Sequence, residues 1–472
     1  MEYPMVVDGL AVAAGLRRAV TVPYDGSEFG TVFEATPEVV ERAVASASRA
    51  AGIMREMTRE ERSAILRKAH ARLLDDREGM AVTIASESGK PLKEARGEVD
   101  RAAWTLLFSS EEAHRLTGEV VPMDASPAGK GYLAMTVREP IGVIAAITPF
   151  NFPLNLPMHK IGPALAAGNA VVHKPASTTP ICALRMARLF QECGLPPGAL
   201  NVITGPGASI GEMLAMDPRV AMITFTGSAE VGLRLRSLAG MKKVTLELGN
   251  NSAVIIESDA DLAQAVPRCV TGSFAHSGQV CISIQRIFVH QSLRSQFLDQ
   301  FSSLTEKLVI GDPRAPETDV SSLITVGEAE RVESWIQEAA QAGAHVVAGG
   351  ERTRATVRPA VVTDVPDTAR LSCEEAFGPV VCVNAYNILD EAIARVNLSP
   401  YGLQAGIYTR NLENAFRAAR RVHVGGFLIN EVPQFRVDQM PYGGVKLSGT
   451  GREGPKYAIE EMTEPKLIVW KV

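Results

Sequence analysis

The chain has 472 residues, well beyond the ~150 residues of a typical domain, so two or three compact units with their own cores are expected. Apolar residues make up 46%, charged residues 21% and the net charge is −5, which gives no reason to expect nucleic acid as a partner. The apolar run Ile141 to Ile147 stops at Thr148-Pro149, far short of the roughly 20 apolar residues that cross a bilayer, so no membrane span is expected. The opening Met1-Glu2-Tyr3-Pro4 lacks a basic segment followed by an apolar one, and a cytoplasmic protein is expected. Six cysteines, at 182, 193, 269, 281, 373 and 382, form no CxxC pair, which argues against a disulfide framework and against a metal site.

In chain order, Thr58-Arg59-Glu60-Glu61 is a capping box, and Ile65, Leu66, Ala69 and Leu73 follow at helical spacing, predicting one amphipathic helix to Asp75. The N-terminal region reads as helical. Between Leu116 and Pro140, two alternating runs joined by Ser126-Pro127-Ala128-Gly129 predict a protruding hairpin. From Ile141 onward, β-rich runs at 141–147, 170–173, 200–203, 221–225 and 244–248 alternate with helical stretches, as in a parallel sheet covered by helices. A second α/β set has strand candidates at 253–256, 286–290, 345–348, 380–383, 405–408 and 426–429, with a helix over 389–397. Residues 466–470 read as one more strand.

Several short motifs carry chemistry, each with a plainer reading beside it. In Ser277-Gly278-Gln279-Val280-Cys281-Ile282 a thiol sits in a glycine-containing turn, a setting in which a thiolate reacts, whereas an isolated cysteine is more often simply buried. Glu247, between Leu246 and Leu248 at a strand end, is either a solvated edge charge or a desolvated general base. The prolines of Thr148-Pro149-Phe150-Asn151-Phe152-Pro153 stiffen a loop that aims the Asn151 amide at an oxyanion or at the start of a helix near Leu154.

Phe225-Thr226-Gly227-Ser228 enters a helix whose first N–H groups suit a pyrophosphate, or is a tight strand-to-helix turn. Gly205-Pro206-Gly207 with Gly211 misses the GxGxxG spacing by one residue and reads as a turn. Lys174-Pro175-Ala176-Ser177 puts a cation and a hydroxyl at a strand's carboxyl end, where open α/β sheets bind nucleotides. Glu375 and Phe377 pair a carboxylate suited to ribose hydroxyls with an aromatic face, in what is otherwise an ordinary acidic turn.

Taken together and in order, Asn151, Lys174, Gly227-Ser228, Glu247, Cys281 and Glu375-Phe377 resemble the aldehyde dehydrogenase superfamily along essentially the whole chain. Pro441-Tyr442-Gly443-Gly444-Val445-Lys446-Leu447-Ser448-Gly449 and Gly451-Arg452-Glu453 are similar to that family's glycine-rich closing motif. The resemblance implies an α/β fold with a Rossmann-like NAD(P)-binding domain from residues 1–117 and 139–247. It also implies a second α/β catalytic domain over 248–449 and a β oligomerisation arm from 118–138 and 450–472, building a homodimer or homotetramer.

The family mechanism, carried over, makes Cys281 the nucleophile toward a small-molecule aldehyde, Asn151 and the Cys281 N–H the oxyanion donors, and Glu247 the base that hydrolyses the thioester. Thr148, Pro149, Phe150, Gly207, Phe225, Gly227, Ser228 and Leu248 would line the cofactor, with Lys174 and Ser177 at the adenosine ribose and Glu375 and Phe377 at the nicotinamide ribose. Family members that exclude NADP often carry a glutamate where Ser177 stands, so NADP is expected to be accepted and NAD use is left open. Asn250 stands where the family commonly has a second glycine. Phe150, Val280 and Ile282 suggest a small or medium aldehyde, and Arg101 and Arg436 resemble positions that bind an anion or hydroxyls in relatives acting on lactaldehyde-like, semialdehyde-like or phosphonate-bearing aldehydes. Equally, each arginine would pair with a nearby carboxylate, Glu98 or Asp438. A coenzyme A-acylating enzyme, or a catalytically silent binding or structural member, are the alternatives, and Glu247 argues for hydrolysis.

Overall fold

The computed structural model describes residues 1–472. The capping box forms as expected: Thr58 Oγ1 accepts the Glu61 N–H at 3.2 Å, Glu61 Oε2 accepts the Thr58 N–H at 2.7 Å, and the helix runs Arg59–Asp75. Its buried face is the Ile65, Leu66, Ala69, Leu73 stripe. Ahead of it the chain is not only helical, which corrects the reading of the N-terminal region. Strands Glu2–Tyr3, Met5–Val7, Leu10–Val12, Arg17–Thr21 and Glu28–Phe33 come first. They are short and some are fixed by remote partners, Val6 pairing with Val202, so local periodicity carries little of their signal.

An eight-stranded sheet has the order Gly449–Thr450, Lys243–Glu247, Val220–Thr226, Val143–Ile147, Ala170–Lys174, Leu200–Val202, Met5–Val7, Leu10–Val12. From Lys243–Glu247 to Leu200–Val202 every pairing is parallel. Helices cover both faces of such a sheet, and accordingly every residue of Val143–Ile147 and Ala170–Lys174 is buried. The registers Ile147 with Lys174, Phe225 with Ile147 and Thr226 with Glu247 align the carboxyl ends. Four loops therefore leave the sheet side by side, beginning at residues 148, 175, 227 and 248.

A seven-stranded sheet has the order His345–Ala348, Ala360–Thr363, Val380–Tyr386, Ile284–His290, Ser252–Ile256, Gln404–Tyr408, Gly426–Ile429, antiparallel only at its first pair. Ala360–Thr363 was not anticipated; it is four residues long and follows Pro359. In the third sheet Thr463–Lys471 lies antiparallel to Tyr132–Pro140, which pairs in turn with Val120–Val121. The predicted hairpin is present, its ends joined by two 3-10 turns, Met123–Ala125 and Pro127–Gly129. No helix is long and apolar enough to cross a membrane.

Candidate active site

The helix Leu262–Phe274 feeds a strained turn in which His276, Ser277 and Gly278 all have positive φ, at 48°, 55° and 72°. A Cβ on Gly278 would stand 2.0 Å from the Gly378 carbonyl oxygen, so only glycine fits. Gln279 pins the turn by accepting the Ile324 N–H at 2.9 Å. The result is a partly exposed Cys281, whereas Cys182, Cys193, Cys269 and Cys382 are buried. Cys281 Sγ lies 2.9 Å from Tyr442 Oη. Burial pushes its thiol up to about 12, against the opposing pull of the Tyr442 hydrogen bond and the Arg436 charge. Cys281 opens onto a cavity of about 480 Å³ whose walls include Val280, Ile282, Phe152, Tyr442, Arg101, Arg268 and Arg436.

Glu247 ends its strand only 3% exposed, and neither carboxyl oxygen has a hydrogen-bond partner. Burial, then the negative Glu453 beside it, raises its pKa well above the carboxylate range. Close approach of the chain at Gly443 is part of the geometry: a Cβ there would be 2.8 Å from Glu247 Oε1. Burial would raise Glu453 too, but Lys160 Nζ at 2.8 Å and Arg436 Nη2 at 3.0 Å hold it at about 2. Asn250 fits without strain. Its φ is not positive, its N–H donates to Glu375 Oε1 at 2.8 Å, and its amide binds Ser252 Oγ at 2.5 Å.

Asn151 is 3% exposed, and its Nδ2 donates to the Gln279 carbonyl at 2.8 Å, which fixes the amide beside the cysteine loop. It does not cap the following helix, Asn155–Ala167. That task falls to Glu98, whose Oε1 accepts the N–H groups of Leu154 and Asn155 at 2.9 and 3.1 Å. The other Glu98 oxygen pairs with the buried Lys90, which also sits 3.5 Å over the Phe152 ring.

Both arginines have carboxylate partners, though differently matched from the sequence reading. Arg101 pairs with Asp438 at 2.8 Å, and Asp438 also accepts from Asn155 Nδ2 at 3.1 Å and lies 2.9 Å from His159 Nε2. Arg436 pairs with Glu453 and stacks 3.7 Å over the Tyr442 ring, leaving a buried Nε without a partner. Arg101 and Arg436 still line the cavity that holds Cys281.

The cofactor candidates gather at the carboxyl edge of the eight-stranded sheet. Lys174 is 3% exposed; burial, with Arg18 nearby, lowers it to about 8, and no carboxylate offsets this. A Cβ on Gly207 would lie 3.5 Å from Lys174 Nζ. Ser177 Oγ donates to the Gly205 carbonyl at 2.7 Å. Thr148 Oγ1 lies 2.9 Å from His173 Nε2. Ser228 caps the helix Ala229–Leu238, while the Phe225 ring closes over Gly227 and Leu248 packs on Gly232. From the other sheet, Phe377 meets Phe150 edge-on at 5.8 Å, and burial raises the Glu375 carboxyl to about 7. A buried cation without a counter-charge and a capped helix N-terminus at this edge, with a desolvated carboxylate brought from the other sheet, fit a pyridine dinucleotide. Pro149 lies in the same loop as Thr148 and Phe150.

Sequence reasoning did not single out Lys160, Tyr442, Glu453 or Arg268. A lysine inside the wholly buried helix Asn155–Ala167 was the available signal for the first. Tyr442 and Glu453 stood in the closing motif, but their roles depend on contacts across more than a hundred residues.

A parallel sheet with a nucleotide-suited carboxyl edge, together with a second, mostly parallel sheet, defines the class as a nucleotide-binding α/β protein. The aldehyde dehydrogenase family model matches residues 13–468, and the chain belongs to that NAD(P)-dependent family. It is 49% identical over 468 residues to a 3-sulfolactaldehyde dehydrogenase of Priestia megaterium, covering 99% of this chain and 98% of that protein. Among solved structures it matches aldehyde dehydrogenase 21 from Physcomitrella patens, in complex with the reaction product succinate. The TM-score is 0.97 at 38% identity, over 100% of this chain and 98% of that one. An NADP-dependent glyceraldehyde-3-phosphate dehydrogenase from Bacillus halodurans, complexed with NADP, also matches with a TM-score of 0.97 at 34% identity, over 100% and 99%.

Proposed function

We propose that this enzyme oxidises a small hydroxylated aldehyde with an anionic end, such as 3-sulfolactaldehyde, to the carboxylic acid. The observation that carries this reading is one cavity lined at once by Cys281, Arg101 and Arg436. A sulfonate or carboxylate is recognised by guanidinium groups, and the unpartnered Nε of Arg436 offers a donor already desolvated. The apolar walls Val280, Ile282 and Phe152 suit the short carbon chain between the two ends.

In the mechanism, the Cys281 thiolate adds to the carbonyl carbon, and Asn151 Nδ2 with the Cys281 N–H holds the oxyanion. What bound NAD(P)+ supplies is the acceptor for the hydride lost as the thiohemiacetal becomes a thioester. Glu247 then takes a proton from water, the hydroxide attacks the thioester carbon, and the C–S bond breaks to return the thiol. Its raised pKa makes the ionised form a stronger base than an ordinary carboxylate, and it is that ionised form which takes the proton from water. Lys174 and Ser177 would hold the adenosine ribose, Ser228 the pyrophosphate and Glu375 the nicotinamide ribose. With Ser177 in place of a carboxylate, NADP is accepted.

The eight-stranded part holds the cofactor and the seven-stranded part carries the nucleophile. The arm strands, with Leu133, Met135, Leu467 and Trp470 exposed, support a homo-oligomer, and six unpaired cysteines support a cytoplasmic setting. The test is reduced-cofactor absorbance with neutral, carboxylated and sulfonated aldehydes, each with NAD and NADP, with and without coenzyme A. Preferential turnover of an anionic aldehyde without coenzyme A supports the reading. A neutral preference, or strict coenzyme A dependence, overturns it.

A further inference from the structure

The walls around Cys281 are poor surroundings for a thiolate. Val280, Ile282 and Phe152 offer no hydrogen bonds from their side chains, and Glu247 and Glu375 act against a second negative charge. The favourable side-chain influences are Tyr442, through its hydroxyl, and Arg436, through its charge. Arg101 lines the same cavity and is already matched to Asp438.

Tyr442 is held firmly. Its N–H donates to the Glu453 carbonyl at 3.1 Å and its carbonyl accepts the Glu453 N–H at 2.6 Å. The ring is 3% exposed, and the next residue, Gly443, has no room for a Cβ beside the Gly451 carbonyl, 2.6 Å away. The Arg436 guanidinium lies 3.7 Å over the ring face. A cation there draws electron density from the phenol and makes its O–H a stronger donor toward an anion.

We propose that Tyr442 is a further catalytic residue: its hydroxyl, strengthened by Arg436 on the ring face, donates a hydrogen bond to the Cys281 thiolate and populates the nucleophile. The proposal rests on the reading of Cys281 as the nucleophile. The phenolic proton stays on Oη throughout, while the thiol proton leaves to solvent before attack on the aldehyde.

The test is Tyr442→Phe, which keeps the ring beneath Arg436 and removes only the donor. The readout is alkylation of Cys281 by iodoacetamide in the cofactor-free protein between pH 6 and 11, followed on the Cys281 peptide by mass spectrometry. The thiolate is the reacting species, so the rate reports its population without any aldehyde present. Loss of a hydrogen bond to a charged group predicts about tenfold slower alkylation at pH 8, the whole rising limb of the rate profile moving up by about one pH unit. Superimposable pH profiles overturn the proposal. So does a rise in aldehyde KM with unchanged alkylation, which would make Tyr442 a wall of the substrate cavity. Failure of the reading of Cys281 as the nucleophile is distinguished by Cys281→Ala, which would then retain turnover.

Discussion

Replacing Glu247 by glutamine should give a protein whose stability advantage over wild type grows as the pH rises, while stopping deacylation. In the folded state Glu247 is buried beside Glu453 with no hydrogen-bond partner, and its pKa is raised well above the usual carboxylate range. In the unfolded chain it ionises at an ordinary carboxylate value. Between these two points the folded state holds a proton that the unfolded state has lost, so stability falls with rising pH, by up to about 1.4 kcal/mol per unit. Glu247→Gln cannot ionise, is nearly isosteric and removes this slope. The gap between variant and wild type should therefore be smallest near the unfolded pKa and widen through the neutral range. Urea unfolding at pH 5, 6, 7 and 8, at fixed protein concentration, measures the gap directly. Parallel stability curves would refute the reasoning, because they would mean that Glu247 ionises as readily folded as unfolded.

Three other outcomes follow from the same contacts. Lys160→Met leaves Glu453 buried with one partner instead of two and should cost about 3 kcal/mol in urea melts, near the lower end for breaking a buried pair because Arg436 remains. Lys174 titrates at about 8, so its charge is present below that pH and lost above it, and NADP affinity by calorimetry should weaken between pH 7 and 9 more than in Lys174→Arg. Gly278→Ala places a Cβ 2.0 Å from the Gly378 carbonyl at a positive φ, and should abolish turnover with a clear loss of Tm.

Much of the fold was legible where the signal is local. The Thr58 capping box and the Ile65, Leu66, Ala69, Leu73 stripe fix a helix within one turn of sequence. The parallel strands, buried on both faces, declare themselves as continuous apolar runs. The opening strands do not, because pairs such as Val6 with Val202 exist only after the sheet has assembled.

The same division runs through the site. Cys281, Glu247 and Asn151 were visible as residue types in suggestive turns, and their joint order identified the family. Their electrostatics were not visible. Arg101 and Arg436 each sit near a carboxylate in sequence, yet Glu98 is taken by Lys90 and the Leu154 and Asn155 amides, so Arg101 turns to Asp438 and Arg436 to Glu453. Such choices are settled by which buried charges the packed helices bring together.

The central claim is that Cys281 carries the acyl group and Glu247 releases it. Its most direct test is intact and peptide mass spectrometry of Glu247→Gln after mixing with a sulfonated or carboxylated 2-hydroxy aldehyde and NADP. The account predicts an acyl adduct on the Cys281 peptide, formed with one equivalent of reduced cofactor and persisting because hydrolysis is blocked. An unmodified Cys281 under continuing turnover would contradict it.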